Sequence, residues 1–490
     1  MNFDFLKDKA DFKKLYNFAE EAEEFVISNP DVSAAASRKA LESIVKSFYI
    51  AKYGSYPESS SLFELLDDGC FSSYLDDSML SAVHLVRQIG NNAAHGEDVT
   101  KQEAMKSLEA LYYSVCEILN MLGVISGYDK FDSTKCQKAE NKPEESTKEI
   151  EKKNTVEETS SSFGKYKENI KDSIQLKAAI DFTEAETRKV YIDTALKEAG
   201  WDVWPIDNAI KPGKACIEIK LPGMPNESKV GYADYVLFDD DGKPLAVIEA
   251  KKAAKEEIVG SQQAKLYASL LKQIYGIEPV IYYTNGYKIM MIDGCGYPAR
   301  RVYGYYTKDE LHSLIIRRGL HQITDCRVNP SISDRPFIQN AVTSVAEALN
   351  NKQRKALLVM ATGTGKTRCA ISVVDVLQRN GWAKRILFLA DRTALVTQAK
   401  RAFEKFLPHS SRSILSEETE EKRDYNATVV FSTYNTMSNI LDRGERKMGI
   451  GHFDLIVIDE CHRSVYNKYK AIFDYFDSLL LGLTATPREQ

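Results

Sequence analysis

Two sets of residues in this chain have the types and spacing to act on phosphate esters. The first lies in LAVIEAKK, residues 245–252, where Glu249 and Lys251 follow an aliphatic run at a spacing of two. A strand repeats every two residues, so the carboxylate and the ammonium emerge on one face. Just upstream, GYADYVLFDDDGKP supplies Asp234 and a polar turn, and a hairpin through that turn brings Asp234 towards Glu249 and Lys251. Two carboxylates suit Mg2+, which keeps several waters and polarises a phosphodiester. Lys251 is then placed to hold or help deprotonate the attacking water, and the Ala250 carbonyl to add a metal ligand. Taken alone, the same residues also read as a surface hairpin that ends in a solvated ion pair. The second set is MATGTGKT, residues 360–367. In the loop Thr362-Gly363-Thr364-Gly365 the glycines let backbone N–H groups turn towards phosphate oxygens, Lys366 reaches the β and γ phosphates of a nucleotide, and the Thr367 hydroxyl ligates Mg2+. Further on, FDLIVIDECH ends an apolar strand with Asp459 and Glu460, the first suited to hold Mg2+ through water and the second to polarise a hydrolytic water.

The surrounding elements must hold these groups in place. TEAETRKVYIDTALKEAGW reads as an amphipathic helix in which Thr183 and Glu186 form a capping box, leaving Glu184 in the first turn as an additional acid for the metal site. Downstream, GSQQAKLYASLL sets Gln263 and Tyr267 four residues apart on one helical face, a pair able to orient a phosphate or a base. The strand-like runs ALLVM, RILFLA, ATVVFS, FDLIVID and LGLTAT are almost wholly apolar, as strands of a parallel sheet covered on both faces should be. From Asp11 to about Val124 the apolar spacing is instead helical, and Thr100 with Glu103 forms a second capping box. Residues 133–162 hold Ile150 and Val156 as their large aliphatic residues amid Lys, Glu, Ser and Thr, a composition that reads as a flexible linker.

A chain of 490 residues exceeds one hydrophobic core. The pattern predicts a multidomain α/β protein: helical 1–130, linker 131–170, an α/β domain over 171–305 and a parallel-sheet lobe over 306–490. With no apolar run of the ~18 residues that a membrane span requires, no membrane association is expected and the chain reads as cytoplasmic. Its eight cysteines are scattered singly, which argues against a thiolate metal site. A net charge of −5 excludes a globally basic DNA-coating surface, so contact with nucleic acid must come from local patches.

The arrangement D…ExK followed by Q-x-x-x-Y resembles the PD-(D/E)xK nuclease fold, with Ala233 where that pattern usually has proline. The wording EAETRKVYID…AGWDV, ADYVLFDDDGKPLAVIEAKK and VYGYYTKDEL is similar to the nuclease domain of type I restriction endonuclease R (HsdR) subunits. The second set is similar to superfamily 2 helicases. That resemblance implies a first RecA-like lobe, in which Gln339 of RPFIQNAV reads adenine, His462, Thr484 and Thr486 couple nucleotide to DNA, and Arg392, Thr433 and Tyr434 touch DNA phosphates. For Arg392 a buried salt bridge with Asp391 or a neighbour is the competing expectation. VRQIGNNAAHGED resembles HEPN-like helical domains, with Arg87, Asn91 and His95 along one stripe. Gly90 weakens that helix, and a docking or regulatory role is favoured over RNA cleavage.

What the resemblance implies is a motor coupled to a nuclease: ATP and Mg2+ as cofactors, double-stranded DNA as substrate, and separate modification (methyltransferase) and specificity subunits as partners. A superfamily 2 motor also needs a second RecA-like lobe, and the chain stops just after TATP. It is therefore expected to be an N-terminal fragment of a longer subunit or a truncated product. A stand-alone helicase-nuclease of another phage-defence system and an inactive DNA-binding or assembly module are the alternatives.

Overall fold

The computed structural model describes residues 1–56, 62–94, 98–139, 163–170, 176–178, 191–205, 210–250, 257–285, 288–320, 322–416, 419–442, 447–461 and 469–485. The chain divides into two units, Met1–Ile192 and, from Asp193 onward, a second that contains both β-sheets.

The first unit is helical. Its long helices are Lys13–Phe25, Pro30–Tyr53, Asp77–Ala94 and Lys101–Met121. Pro30 stands in the first turn and Asn29 accepts from the Val32 N–H, so the second helix starts on a cap and a pre-set φ. Its face of Ala34, Leu41, Ile44, Val45 and Phe48 is fully buried. The capping box of Thr100 and Glu103 starts the last helix as expected. Gly90 does not interrupt Asp77–Ala94. A Cβ there would lie 2.4 Å from Arg38 Cβ and 2.9 Å from the Ala34 carbonyl, so glycine marks the close approach to Pro30–Tyr53. Packing thus outweighs the ~1 kcal/mol that glycine costs a helix interior. The expected linker 131–170 also needs correcting at both ends. Ser133–Ala139 and Phe163–Asn169 are 3-10 turns, Cys136 is buried near Glu23, and Phe163 packs edge-on against Phe12. A few apolar residues at the margins suffice to fix them; residues 140–162 lie outside the described residues.

Among the described residues of the second unit, seven strands form a mixed sheet in chain order: β1 Val203–Trp204, β2 Ala215–Pro222, β3 Val230–Phe238, β4 Pro244–Ala250, β5 Val280–Thr284, β6 Ile289–Ile292 and β7 Arg300–Val302. β2, β3 and β4 are antiparallel neighbours, and β4 pairs parallel with β5 after the helix Glu257–Tyr275. Ala264, Tyr267, Ala268 and Leu271 of that helix pack on Ala233, Val236, Phe238 and Val247.

Six further strands form a wholly parallel sheet in the order β10-β11-β9-β12-β13-β8. They are β8 Lys355–Val359, β9 Ile386–Ala390, β10 Arg412–Ile414, β11 Val429–Thr433, β12 Leu455–Ile458 and β13 Leu479–Thr484. Alternate residues feed two cores. Phe388, Phe431 and Val457 meet the helices Pro336–Asn350, Lys366–Arg379 and Thr393–Phe406, whereas Leu387, Val430 and Ile456 meet Tyr434–Asp442 and Lys470–Tyr475. This double coverage explains the unbroken apolar runs. β8 differs: it stands at the sheet edge, with Leu357 and Val359 about half exposed.

Asp477, just ahead of β13, ties the two sheets together. It accepts from Arg300 Nε and Nη2 at 2.8 and 2.7 Å, from Tyr306 Oη at 2.6 Å and from Arg354 Nη2 at 2.6 Å. Burial opposes its charge, but Arg354 and Arg300 outweigh burial and hold the carboxyl well below the usual range.

Candidate functional site

The phosphate-binding candidate sits where the parallel strands end, the side on which α/β sheets bind ligands. The loop leaves β8, and its Met360 N–H donates to the Thr484 carbonyl at the end of β13. Gly363 and Gly365 have φ of +80° and +104°, backbone that side chains rarely adopt, so the glycines of the motif are required by the turn. Gly365 then caps Lys366–Arg379, whose first-turn N–H groups face the loop. Thr362 is exposed, the Thr364 hydroxyl donates to the Ala361 carbonyl at 2.7 Å, and Thr367 is half-buried in the first turn. Lys366 Nζ lies 2.5 Å from Glu460 Oε1, joining two motifs 94 residues apart. Glu460 itself has φ +53°, a strained setting for a non-glycine residue that turns the chain sharply after β12. Burial pushes the neighbouring Asp459 carboxyl up, Glu460 adds to this and Lys366 opposes it. A half-buried acid beside a second acid fits a divalent cation, with Thr367 and Asp459 as the residues that would hold it. Sequence reasoning missed Arg335, which donates to the Thr364 carbonyl and so braces the loop. Its place as the first residue of the RPFIQNAV segment that holds Gln339 was the available signal.

Several expected contacts take other roles. Tyr434 is 1% exposed, stacks on Tyr469 at 4.9 Å and donates to the Asp459 carbonyl at 2.7 Å. Thr433 is buried, and its hydroxyl accepts from the Thr436 N–H, capping Tyr434–Asp442. Both side chains are buried. Gln339 accepts from the Val328 N–H and donates to the Cys326 carbonyl, both at 2.9 Å, so its amide already makes the donor and acceptor pair that adenine would require. Arg392 is 81% exposed and 3.6 Å from Asp391, which sets aside the buried salt bridge. Thr484 is buried at the end of β13. His462 and Thr486 lie outside the described residues.

In the mixed sheet, β3 and β4 pair through Tyr235 and Ile248, and continuing that register sets Asp234 opposite Glu249. Asp234 Oδ2 accepts from the Ala250 N–H at 2.7 Å, and Glu249 is 1% exposed. Two adjacent carboxylates, one of them buried, call for a neighbouring cation. Gln263 Nε2 donates to Tyr267 Oη at 2.9 Å. Burial, and then the Glu249 and Asp234 charges, raise the Tyr267 phenol, which places this pair beside the two acids. Glu184, Lys251 and the capping box of Thr183 and Glu186 lie outside the described residues. Among the described residues no group of three or more His, Cys, Asp or Glu is gathered to hold a metal, so Asp234 and Glu249 are a pair rather than a full ligand set. In the helical unit the Arg87 guanidinium lies over the Phe63 ring at 5.1 Å, and His95 lies outside the described residues.

Comparison with known proteins adds to this geometry. Residues 331–489 match the family described as type III restriction enzyme, res subunit (ResIII), and residues 20–152 match a domain of unknown function, DUF4145. The chain is 32% identical to the Escherichia coli type I restriction enzyme EcoAI endonuclease subunit, over 63% of this chain and 40% of that one. It is 25% identical to the EcoKI endonuclease subunit of Escherichia coli strain K12, over 99% of this chain and 53% of that one. It therefore spans about half the length of these relatives. A solved HsdR fragment from Vibrio vulnificus YJ016 is 26% identical over 64% of this chain and 56% of that one, with a TM-score of 0.26. No helix among the described residues is long and apolar enough to cross a membrane. With a ResIII-type segment carrying the phosphate loop and the Asp459–Glu460 pair, the chain is a relative of the endonuclease subunits of type I restriction enzymes.

Proposed function

We propose that this chain carries the nuclease and the first motor lobe of the restriction subunit of a type I restriction-modification enzyme. In this reading ATP hydrolysis drives translocation along double-stranded DNA, translocation is coupled to cleavage of unmodified DNA, and modification and specificity subunits recruit the chain. The observation that carries it is the 2.5 Å contact between Lys366 and Glu460, which brings the phosphate loop and the acidic pair to one place at the ends of β8 and β12. Lys366 holds phosphate oxygens, the loop N–H groups orient them, and Glu460 positions a water and takes its proton. In the mixed sheet Asp234 and Glu249 are the residues that would hold Mg2+, which when bound polarises the scissile phosphodiester. Lys251 steadies the attacking water there, and Gln263 and Tyr267 orient the strand that is cut.

The test uses the complete enzyme. Asp234→Ala, Glu249→Ala and Lys251→Ala should each abolish cleavage while ATP hydrolysis continues, because the acids stand in the mixed sheet and the phosphate loop follows β8 of the parallel sheet. Lys366→Ala should remove both activities. Undiminished cutting by Asp234→Ala, or ordinary ATPase activity in Lys366→Ala, would overturn the respective half of the reading.

A further inference from the structure

We propose that a second anion site, separate from both sites above, lies between the two sheets and takes a phosphate dianion, either free or as the end of a phosphate monoester. A cavity of about 70 Å3 opens there. One water needs roughly 10–15 Å3 of such space, so the cavity admits a phosphate-sized group but no stretch of nucleic acid. Arg300, Arg317, Arg318, Lys352 and Arg354 line it, against the carboxylates of Asp293, Asp454 and Asp477, a surplus of two positive charges.

The carboxylates are already committed. Asp477 serves Arg300 and Arg354, Asp293 takes a further bond from Arg300 at 2.7 Å, and Asp454 pairs with Arg317 at 3.0 Å while accepting from the Lys384 and Arg385 N–H groups. Arg318 gives its Nε and Nη1 to the carbonyls of Asp293 and Glu278, which are dipoles rather than charges. This leaves Arg317 Nε and Arg318 Nη2 buried without an acceptor. Lys352 lies over the rings of Tyr297 and Trp382, at 5.5 and 5.9 Å, with both aromatics also lining the cavity. A buried cation without a counter-charge is costly, and a phosphate dianion supplies the missing charge and acceptors together. Burial also holds the Arg318 guanidinium below its ordinary range, the direction expected where neighbouring acids do not offset desolvation. Arg317 and Arg318 end the helix Lys308–Arg318, whereas Lys352 and Arg354 precede β8, so the anion would bridge the two sheets.

Inorganic phosphate binding to the full chain, measured by calorimetry in a phosphate-free buffer, tests the proposal. A Lys366→Ala background removes the phosphate loop from the measurement, which also keeps the outcome independent of the proposed motor function. Binding should persist in that background and weaken about tenfold or more with Arg318→Gln or with Lys352→Asn, the loss expected for one charge-assisted contact. Lys352 has φ +62°, a conformation asparagine tolerates, so that variant should fold even if Arg318→Gln does not. Lys355→Asn, on the exposed strand outside the cavity, should bind as before. Adenosine monophosphate as a second probe identifies the source: binding tighter than phosphate, and equally sensitive to Lys352→Asn, indicates a monoester. Absence of binding in the Lys366→Ala chain, or equal weakening by Lys352→Asn and Lys355→Asn, overturns the proposal.

Discussion

Lys366 and Glu460 neutralise one another across 2.5 Å, so a phosphate that draws Lys366 to itself must first break that ion pair. Glu460→Gln removes the pair and, in the proposed reading, the proton acceptor with it. In the complete enzyme ATP should then bind as tightly or up to about tenfold more tightly, while DNA-stimulated hydrolysis falls by about a hundredfold or more. Nucleotide titration and a steady-state ATPase assay separate the two effects, and unchanged hydrolysis would remove Glu460 from the reaction. Tyr434 makes the opposite case. Its place after β11 was legible from the sequence, but its stacking partner Tyr469 is 35 residues away, and no local pattern reveals that contact. Tyr434→Phe should therefore cost stability, about 1–3 kcal/mol for the Asp459 carbonyl left without its donor. It should leave DNA affinity unchanged, and a fall in affinity at constant stability would restore Tyr434 as a DNA contact. The partners of the Gln339 amide could not be read for a similar reason, because the Cys326–Val328 backbone that meets it shows no recognisable pattern in the sequence.

Apolar strands and the capping box of Thr100 and Glu103 could be read directly, since each depends on residues within one element. The hairpin β3–β4 and the strands β9, β11, β12 and β13 fall where their sequences predict. The order of the strands and the tie at Asp477 could not be read in this way. In FDYFDSLLL that aspartate looks like an ordinary turn residue, and its partners are 123, 171 and 177 residues distant. Asp477→Asn leaves Arg300 and Arg354 without their shared counter-charge and should destabilise the second unit by about 3–5 kcal/mol. The sign of the pH dependence follows from the lowered carboxyl. Its contribution is fully present above the unfolded range near ~4 and is lost as pH falls through the folded value below it. Thermal melts of the two proteins should differ by a constant margin from neutral pH down to about 4 and converge only in stronger acid. A margin that closes at neutral pH would show that Asp477 is not charged in the folded protein.

At the scale of the molecule, a boundary at 305/306 was expected from the change of pattern, yet both sheets fall within one unit. The strands of the mixed sheet precede that position and those of the parallel sheet follow it. The sequence pattern does not register the arginine and aspartate pairs that join the sheets, because charged residues beside a turn look alike whether they are buried or solvated. The edge strand β8 has a further consequence, colloidal rather than catalytic. Leu357 and Val359 are each about half exposed, and β8 pairs with β13 alone among the described strands. Such an edge is a template on which a second chain can add its own strand. The purified 490-residue chain should therefore self-associate as its concentration rises, with light scattering reporting masses above the monomer. Leu357→Lys should return it to the monomer, since a charge on the exposed face of an edge opposes a dry contact. If scattering stays monomeric at every concentration, the edge is already guarded, and if Leu357→Lys assembles like the wild type, the sticky surface lies elsewhere.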